Sequence, residues 1–211
     1  MRHTIMLVCC LMMASCSSSD EQKSKLQLVF NRKAATTPTA EFMALADRGA
    51  PAQVVSVANR KNAFTTFVRQ LRSDDGTETW ISGEGLSLAI VDGVIEGSRG
   101  FGNDLLAADA RQTRRLVKAR SEGASKRFQT IIDGFDQATT LSFVCTVSRQ
   151  GPWDIDLGSR KVATQLMQED CRNSSYTFRN FFWVSDTTNE IVQSRQWMSP
   201  ALEHLSTRKI R

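Results

Sequence analysis

The residues of this chain best placed to do chemistry are its cysteines, and Cys16 comes first. It ends the stretch Leu11-Met12-Met13-Ala14-Ser15-Cys16, behind the apolar run Ile5 to Met13 and the basic start Arg2-His3. That run is far shorter than the ~20 residues a bilayer-spanning helix needs. It has the length and flanks of a signal-peptide core, and the small Ala14 and Ser15 suit a peptidase pocket. The implied chemistry is cleavage before Cys16 and acylation of its thiol. Each buried methylene contributes roughly 0.8 kcal/mol, so one chain anchors marginally and two or three anchor stably. Ser17, rather than an aspartate, after the cysteine favours delivery to the outer membrane, with the domain facing the periplasm. A secretory signal cut elsewhere is the simpler alternative.

Of the five cysteines, Cys9 and Cys10 leave with the signal. Cys145 and Cys171 remain, and an exported pair is expected to form a disulfide. The loop they close gives roughly 3–4 kcal/mol of chain-entropy stabilisation. Two separate buried thiols are the other reading. Their spacing matches no zinc motif.

Other candidate groups point to structure. His204 is the one histidine after the signal, and no nucleophile elbow accompanies it. Gly97, Gly100 and Gly102 have the wrong spacing for a dinucleotide fingerprint and fit a bend after a hairpin. Asp154 and Asp156 resemble a glycosyltransferase metal pair, but Gly151-Pro152 before them reads as a turn in an exposed loop. Trp80, Trp153, Trp183 and Trp197 suit sugar stacking if exposed, and core packing otherwise. We expect no catalytic residues, no metal and no cofactor, so the chain does not read as an enzyme.

Composition agrees. Residues 16–211 suit one domain with a sizeable core. Loss of Arg2 lowers the formal charge of +5 by one. The compartment argues against nucleic acid. A slight basic excess suits acidic polysaccharide or lipid head groups, or is simply an ordinary surface. The expected organisation is a signal over 1–15, a lipidated cysteine and polar tether over 16–25, and a single β-rich domain over 26–211.

Strand signals dominate that domain. Thr39 to Arg48 has helical spacing, with Gly49 as a stop. Gln53 to Ala58, Ala63 to Arg72 and Thr77 to Ser82 read as strands, with Asn59 to Asn62 and Asp74-Asp75-Gly76 as turns. Leu86 to Arg99 reads as a hairpin on a type I′ Asp92-Gly93 turn, with Ile90 facing Ile95 and Val91 facing Val94. Asp104 to Arg120 includes a short helix. Lys126 to Asp133 is strand-like, and Gly134 to Gln137 a turn. Leu141, Phe143, Cys145 and Val147 alternate with polar or outward positions, and Arg160 to Cys171 is the expected partner strand. Tyr176, Phe178, Phe182 and Val184 form another alternating face. Ser185 to Asn189 is a turn, and Glu190 to Met198 a strand ended by Pro200. The expected fold is mainly β: an antiparallel meander forming a curled sheet, half-barrel or sandwich, with one or two short helices.

Two blocks carry a resemblance. The first runs from Thr79-Trp80-Ile81-Ser82 through Leu86-Ser87-Leu88 and Asp92-Gly93 to Ser98-Arg99-Gly100-Phe101-Gly102-Asn103-Asp104-Leu105. The second runs from Asn180-Phe181-Phe182-Trp183-Val184 to Ile191-Val192-Gln193-Ser194-Arg195-Gln196-Trp197-Met198-Ser199-Pro200. Together they resemble the YjbF/GfcB family of outer-membrane lipoproteins, encoded with group 4 capsule and exopolysaccharide secretion genes. Asp186-Thr187-Thr188-Asn189 departs from that pattern, where a turn with proline and glycine is expected. The resemblance implies a non-catalytic lipoprotein assisting capsule or exopolysaccharide export. Its implied partners are the membrane, other secretion proteins and the polymer. It brings no catalytic residues. The alternative is a periplasmic lipid- or glycan-binding module using the concave face of a curled sheet.

Replacing Cys16 by Ser is expected to abolish palmitate labelling and release the domain from membranes. Persistent labelling would refute the anchor.

Overall fold

Period-two alternation of apolar and polar residues builds almost all of this structure, a computed structural model that describes residues 37–58, 60, 63–132, 137–158 and 160–210. The signal, Cys16, the tether and the first residues of the expected domain lie outside the described residues. So do Asn59, Lys61 and Asn62 of one expected turn and residues 134–136 of another.

The described residues open on helix α1 (Ala40–Asp47), capped by the Thr39 hydroxyl, which accepts from Phe42 N at 3.3 Å. Six strands follow: β1 (Ala52–Val57), β2 (Phe64–Arg72), β3 (Thr77–Ser82), β4 (Ser87–Val91), β5 (Val94–Arg99) and β6 (Leu105–Asp109). Helix α2 (Arg111–Lys118) separates them from β7 (Gly123–Ile132), β8 (Ala138–Asp156), β9 (Lys161–Arg172), β10 (Thr177–Ser185), β11 (Ile191–Ser199) and β12 (Glu203–Lys209). All twelve strands join one antiparallel sheet in the order β5-β4-β3-β2-β1-β12-β11-β10-β9-β8-β7-β6. The last strand returns to pair with the first, Val55 opposite Thr207.

The sheet curls into a nearly closed barrel whose ends, β5 and β6, meet along a seam. Side chains span that seam. The Arg99 guanidinium donates to the carbonyls of Leu105 and Leu106 at 3.3 Å each. Ser98 Oγ donates to Asp104 Oδ1 at 2.7 Å and accepts from Leu105 N at 3.0 Å.

The β4–β5 hairpin has the register its sequence implies: Ile90 pairs with Ile95 and Val91 with Val94. Asp92 and Gly93 both have positive φ, 50° and 84°, as a type I′ turn requires. A bulge beside Ala89 leaves Leu88, Ile90 and Ile95 in one core cluster, with Leu86 packed against it.

One expectation needs correction. Gly151-Pro152 is no turn: both lie inside the nineteen-residue β8, at a bulge where Gly151 takes φ 118°. Beyond Val147 β8 pairs only with β9, so its other edge is free where Pro152 lies, and an edge tolerates the N–H that proline lacks. Asp104 to Arg120 holds the expected short helix, α2, and before it a strand that was not expected, β6. Pro200 follows the end of its strand as expected, β11 stopping at Ser199, and a further strand that was not expected, β12, comes after it.

The inward face is filled by side chains through most of the barrel. Val55, Phe67, Trp80, Leu88, Ile95, Leu105 and Leu205 belong to one cluster. Val147, Met167, Phe182 and Val184 pack under Val117 of α2. Phe143, Phe178 and Trp197 surround the Cys145–Cys171 disulfide, whose two residues pair directly across β8 and β9.

A charged pair lies within this apolar surround. Arg127 and Glu169 are 1% and 0% exposed, with Nη2 2.8 Å from Oε2. The carboxylate also accepts from Arg127 Nε at 3.3 Å, from Asn180 Nδ2 at 2.7 Å and from the Thr113 hydroxyl. Those four donors occupy its acceptor capacity. Removing one partner of such a pair strands a buried charge, which costs about 3–5 kcal/mol. Arg127→Met should lower urea stability by that amount, and Arg127→Met with Glu169→Leu should recover most of it. A single variant as stable as wild type would contradict this account.

Candidate functional site

Towards one end of the barrel the inward positions change from apolar to polar. Residues two apart share a face of a strand. On β1 the inward series runs Val57, Val55, Gln53. On β12 it runs Leu205, Thr207, Lys209. On β3, Trp80 is followed outward by Glu78. A bulge between Arg69 and Leu71 lets β2 set Arg69 opposite Trp80 and Arg72 opposite Glu78. This mouth lies at the β2–β3, β4–β5 and β10–β11 turns.

Helix α2 ties two of those turns together. Lys118 Nζ lies 2.8 Å from Asp92 Oδ1, and Arg120 donates to the Ser185 carbonyl. Across the mouth the turns touch: a Cβ on Gly93 would lie 2.6 Å from Ile191 Cβ. Any larger residue there would force them apart. In the β10–β11 turn Asn189 takes φ 56°. Asparagine tolerates that conformation, so it fills the place where the family resemblance leads one to expect glycine.

Two spaces that share lining residues lie here. A cavity of about 260 Å³ is lined by Gln53, Arg72, Glu78, Trp80, Asp92, Lys118, Glu190 and Lys209, among others. A cleft of about 640 Å³ shares Arg72, Glu78, Trp80, Glu190 and Lys209, and adds Arg69, with Leu157, Arg160, Lys161 and Val162 from the β8–β9 hairpin tip. The tip is held by an outer cluster in which Ile155 and Leu157 pack on Val192.

Charge in the cleft is unequal. Arg69, Arg72, Arg160, Lys161 and Lys209 face Glu78 and Glu190. Glu78 serves Arg69 at 2.8 Å and Arg72 at 3.6 Å, and accepts from Trp80 Nε1 at 3.2 Å. Lys209 lies 3.4 Å from Glu190. Arg160 and Lys161 are exposed and enter no ion pair among the described residues. The lining of the cleft carries the positive surplus, although Asp156 stands opposite Lys161 on the hairpin itself.

The residues singled out from the sequence are not gathered here. His204 pairs with Trp197 across β12 and β11. Its Nε2 lies 2.9 Å from the Arg179 carbonyl, and Nδ1 is buried without a partner. A carbonyl only accepts, so Nε2 carries the proton and Nδ1 the bare lone pair. Asp154 and Asp156 are exposed on β8, and Asp156 Oδ1 accepts from Gly158 N. The amides of Gly100 and Phe101 donate to the Asp104 carboxylate at 2.9 and 3.2 Å; a phosphate would have to displace it. Cys145 and Cys171 lie near Glu169, a metal-like grouping, but their sulfurs are joined to each other. Trp80 and Trp197 are core residues, Trp183 packs against the outer cluster, and Trp153 is 56% exposed.

The family model for the group 4 capsule polysaccharide lipoprotein GfcB, YjbF, matches residues 23–210. The chain belongs to the YjbF family. Among solved structures it is similar to a hypothetical lipoprotein, YmcC, from Escherichia coli (K12), with a TM-score of 0.69 and 14% identity. That likeness covers 90% of this chain and 94% of the other, and at that identity it shows the fold. No curated protein matches the chain. Among the described residues no helix is long and apolar enough to cross a membrane.

Of the residues at the mouth, the sequence singled out Trp80, for sugar stacking or core packing, and Asp92-Gly93, as a turn. The available signal was the polar residue ending each inward apolar series, at Gln53, Glu78 and Lys209.

Burial holds the His204 imidazole below its ordinary value of about 6.5. The unfolded chain therefore binds the proton more readily. The stability from this group is complete above pH ~6.5 and declines as pH falls below it. His204→Gln retains a donor for the Arg179 carbonyl and should flatten the stability difference between pH 7.5 and 5.5. An unchanged slope would show that other groups carry it.

Proposed function

We propose that this YjbF-family lipoprotein acts at the outer membrane in the assembly or export of capsule or exopolysaccharide, as a non-catalytic element that contacts the polymer. Family membership supports the process. The positively charged cleft at the barrel mouth supports the contact. With Arg160 and Lys161 exposed and unpaired on a tip beside Arg69 and Arg72, the cleft attracts polyanions and repels polycations. An acidic polysaccharide is the polymer this charge favours.

The filled interior bears on the lipid alternative. Carriers of acyl chains need an apolar hollow, whereas the inward face here is occupied by side chains, and the space left at the mouth is lined with polar ones. His204 is engaged by the Arg179 carbonyl, and Asp156 accepts from Gly158 N opposite Lys161, so neither is poised with a catalytic partner, which supports docking and retention ahead of bond breaking.

Arg160→Glu with Lys161→Glu reverses the tip without touching the core. Retention of polygalacturonate, an acidic test polymer, should weaken about tenfold or more at low salt, with less difference at high salt, where exposed charges are screened. The same double variant should lower secreted polysaccharide in cells that depend on it. Unchanged retention and unchanged secretion would overturn the reading.

A further inference from the structure

Gln53 is a buried amide with an unanswered donor. Its side chain is 4% exposed, it lines the 260 Å³ cavity, and its Nε2 has no hydrogen-bond partner. A buried N–H left unpaired is costly, and proteins rarely tolerate one without a ligand, water or functional reason.

The surrounding charge differs from that of the cleft. Arg72 is opposed by Glu78, Lys118 by Asp92 and Lys209 by Glu190. No cation is left over to hold an anionic group. The carboxylates can accept from hydroxyls, the Gln53 amide can donate to one, and Ile90 offers an apolar wall beside Trp80. At ~30 Å³ per water, the cavity has room for roughly nine waters, below the ~300 Å³ floor of drug-sized sites. One six-membered ring fits that measure. The cavity is the more enclosed of the two spaces, so it suits a chain end or a branch.

We propose that the cavity around Gln53 binds a single uncharged sugar residue, the terminus or a side branch of the polymer whose acidic body lies along the cleft. This rests on the polysaccharide reading above and adds a second subsite of opposite preference. Gln53 Nε2 donates to a ring hydroxyl, and Glu78 or Glu190 accepts from another.

The test uses the processed full-length protein and three probes: methyl α-D-galactopyranoside, methyl α-D-glucopyranoside and methyl glucuronide, at roughly millimolar concentrations. The Gln53 side-chain amide is followed by NMR. A neutral glycoside should shift it. Gln53→Glu, which replaces the donor, should weaken that binding about tenfold. Because a buried variant can misfold, Thr188→Trp serves as a second: Thr188 is exposed on the β10–β11 turn and lines the cavity. It should block the neutral glycoside and leave the melting temperature unchanged. The inference falls if none of the probes moves the Gln53 amide, if only the glucuronide does, or if Thr188→Trp binds as well as wild type. Polygalacturonate retention on the same protein separates the two ideas. Retention without glycoside binding overturns the Gln53 site alone, and loss of retention with glycoside binding overturns the cleft.

Discussion

A single carboxylate, Glu169, organises the middle of this barrel. It lies on β9, and its four donors come from β7, α2 and β10. Its influence reaches further through Asn180, whose Oδ1 accepts from Trp197 N at 2.7 Å. Gln129 Nε2 donates to the Trp197 carbonyl at 3.2 Å. The β10–β11 ladder has its last pair at Phe181 and Arg195, so these two amides answer the backbone of Trp197 where the strands part. The indole then stacks on Phe178, ring centroids 4.4 Å apart, beside the disulfide. A charge this deep is tolerated only when every acceptor site is filled, which makes α2, β7 and β10 mutually dependent.

That dependence explains how the mouth keeps its shape. α2 is anchored from below by Thr113 to Glu169 and from above by Lys118 to Asp92. Between those points Val117 fills the barrel under the helix. The β4–β5 and β10–β11 turns are pressed together at Gly93 and Ile191. Packing therefore closes one half of this end, while the half bounded by β1, β2, β3 and β12 stays polar and open. The cationic hairpin tip stands over the open half.

Much of the fold was legible because alternation is a local property. Leu86, Leu88, Ile90 and Ile95 declared a face, and Asp92-Gly93 declared the turn that sets its register. Phe143, Cys145 and Val147 declared the inward face that carries the disulfide. The elements that escaped notice lack such a pattern. β12 reads Glu-His-Leu-Ser-Thr-Arg-Lys, with Leu205 as its only strong apolar residue. It is a strand because β1 and β11 each lack a neighbour without it. β6 reads Leu-Leu-Ala-Ala-Asp, which suits a helix by propensity, and is extended because it borders the seam beside β5. Pro152 suggested a break, yet β8 runs on through it where the strand has β9 on one side only.

The site was less legible for the same reason. Gln53, Glu78 and Lys209 are separated widely along the chain, and each is an unremarked polar residue near a strand end. The chain alone determined the β character, the chief hairpin and the resemblance to YjbF, all of which depend on neighbours in sequence, and the expectation of an export signal ending at Cys16 rests on it alone. Only the folded barrel decided which polar residues would converge, because closing β12 against β1 brings distant strand ends to one rim. Only it decided that Arg127 and Glu169 would be buried together, because inward faces become an interior when the sheet curls around them.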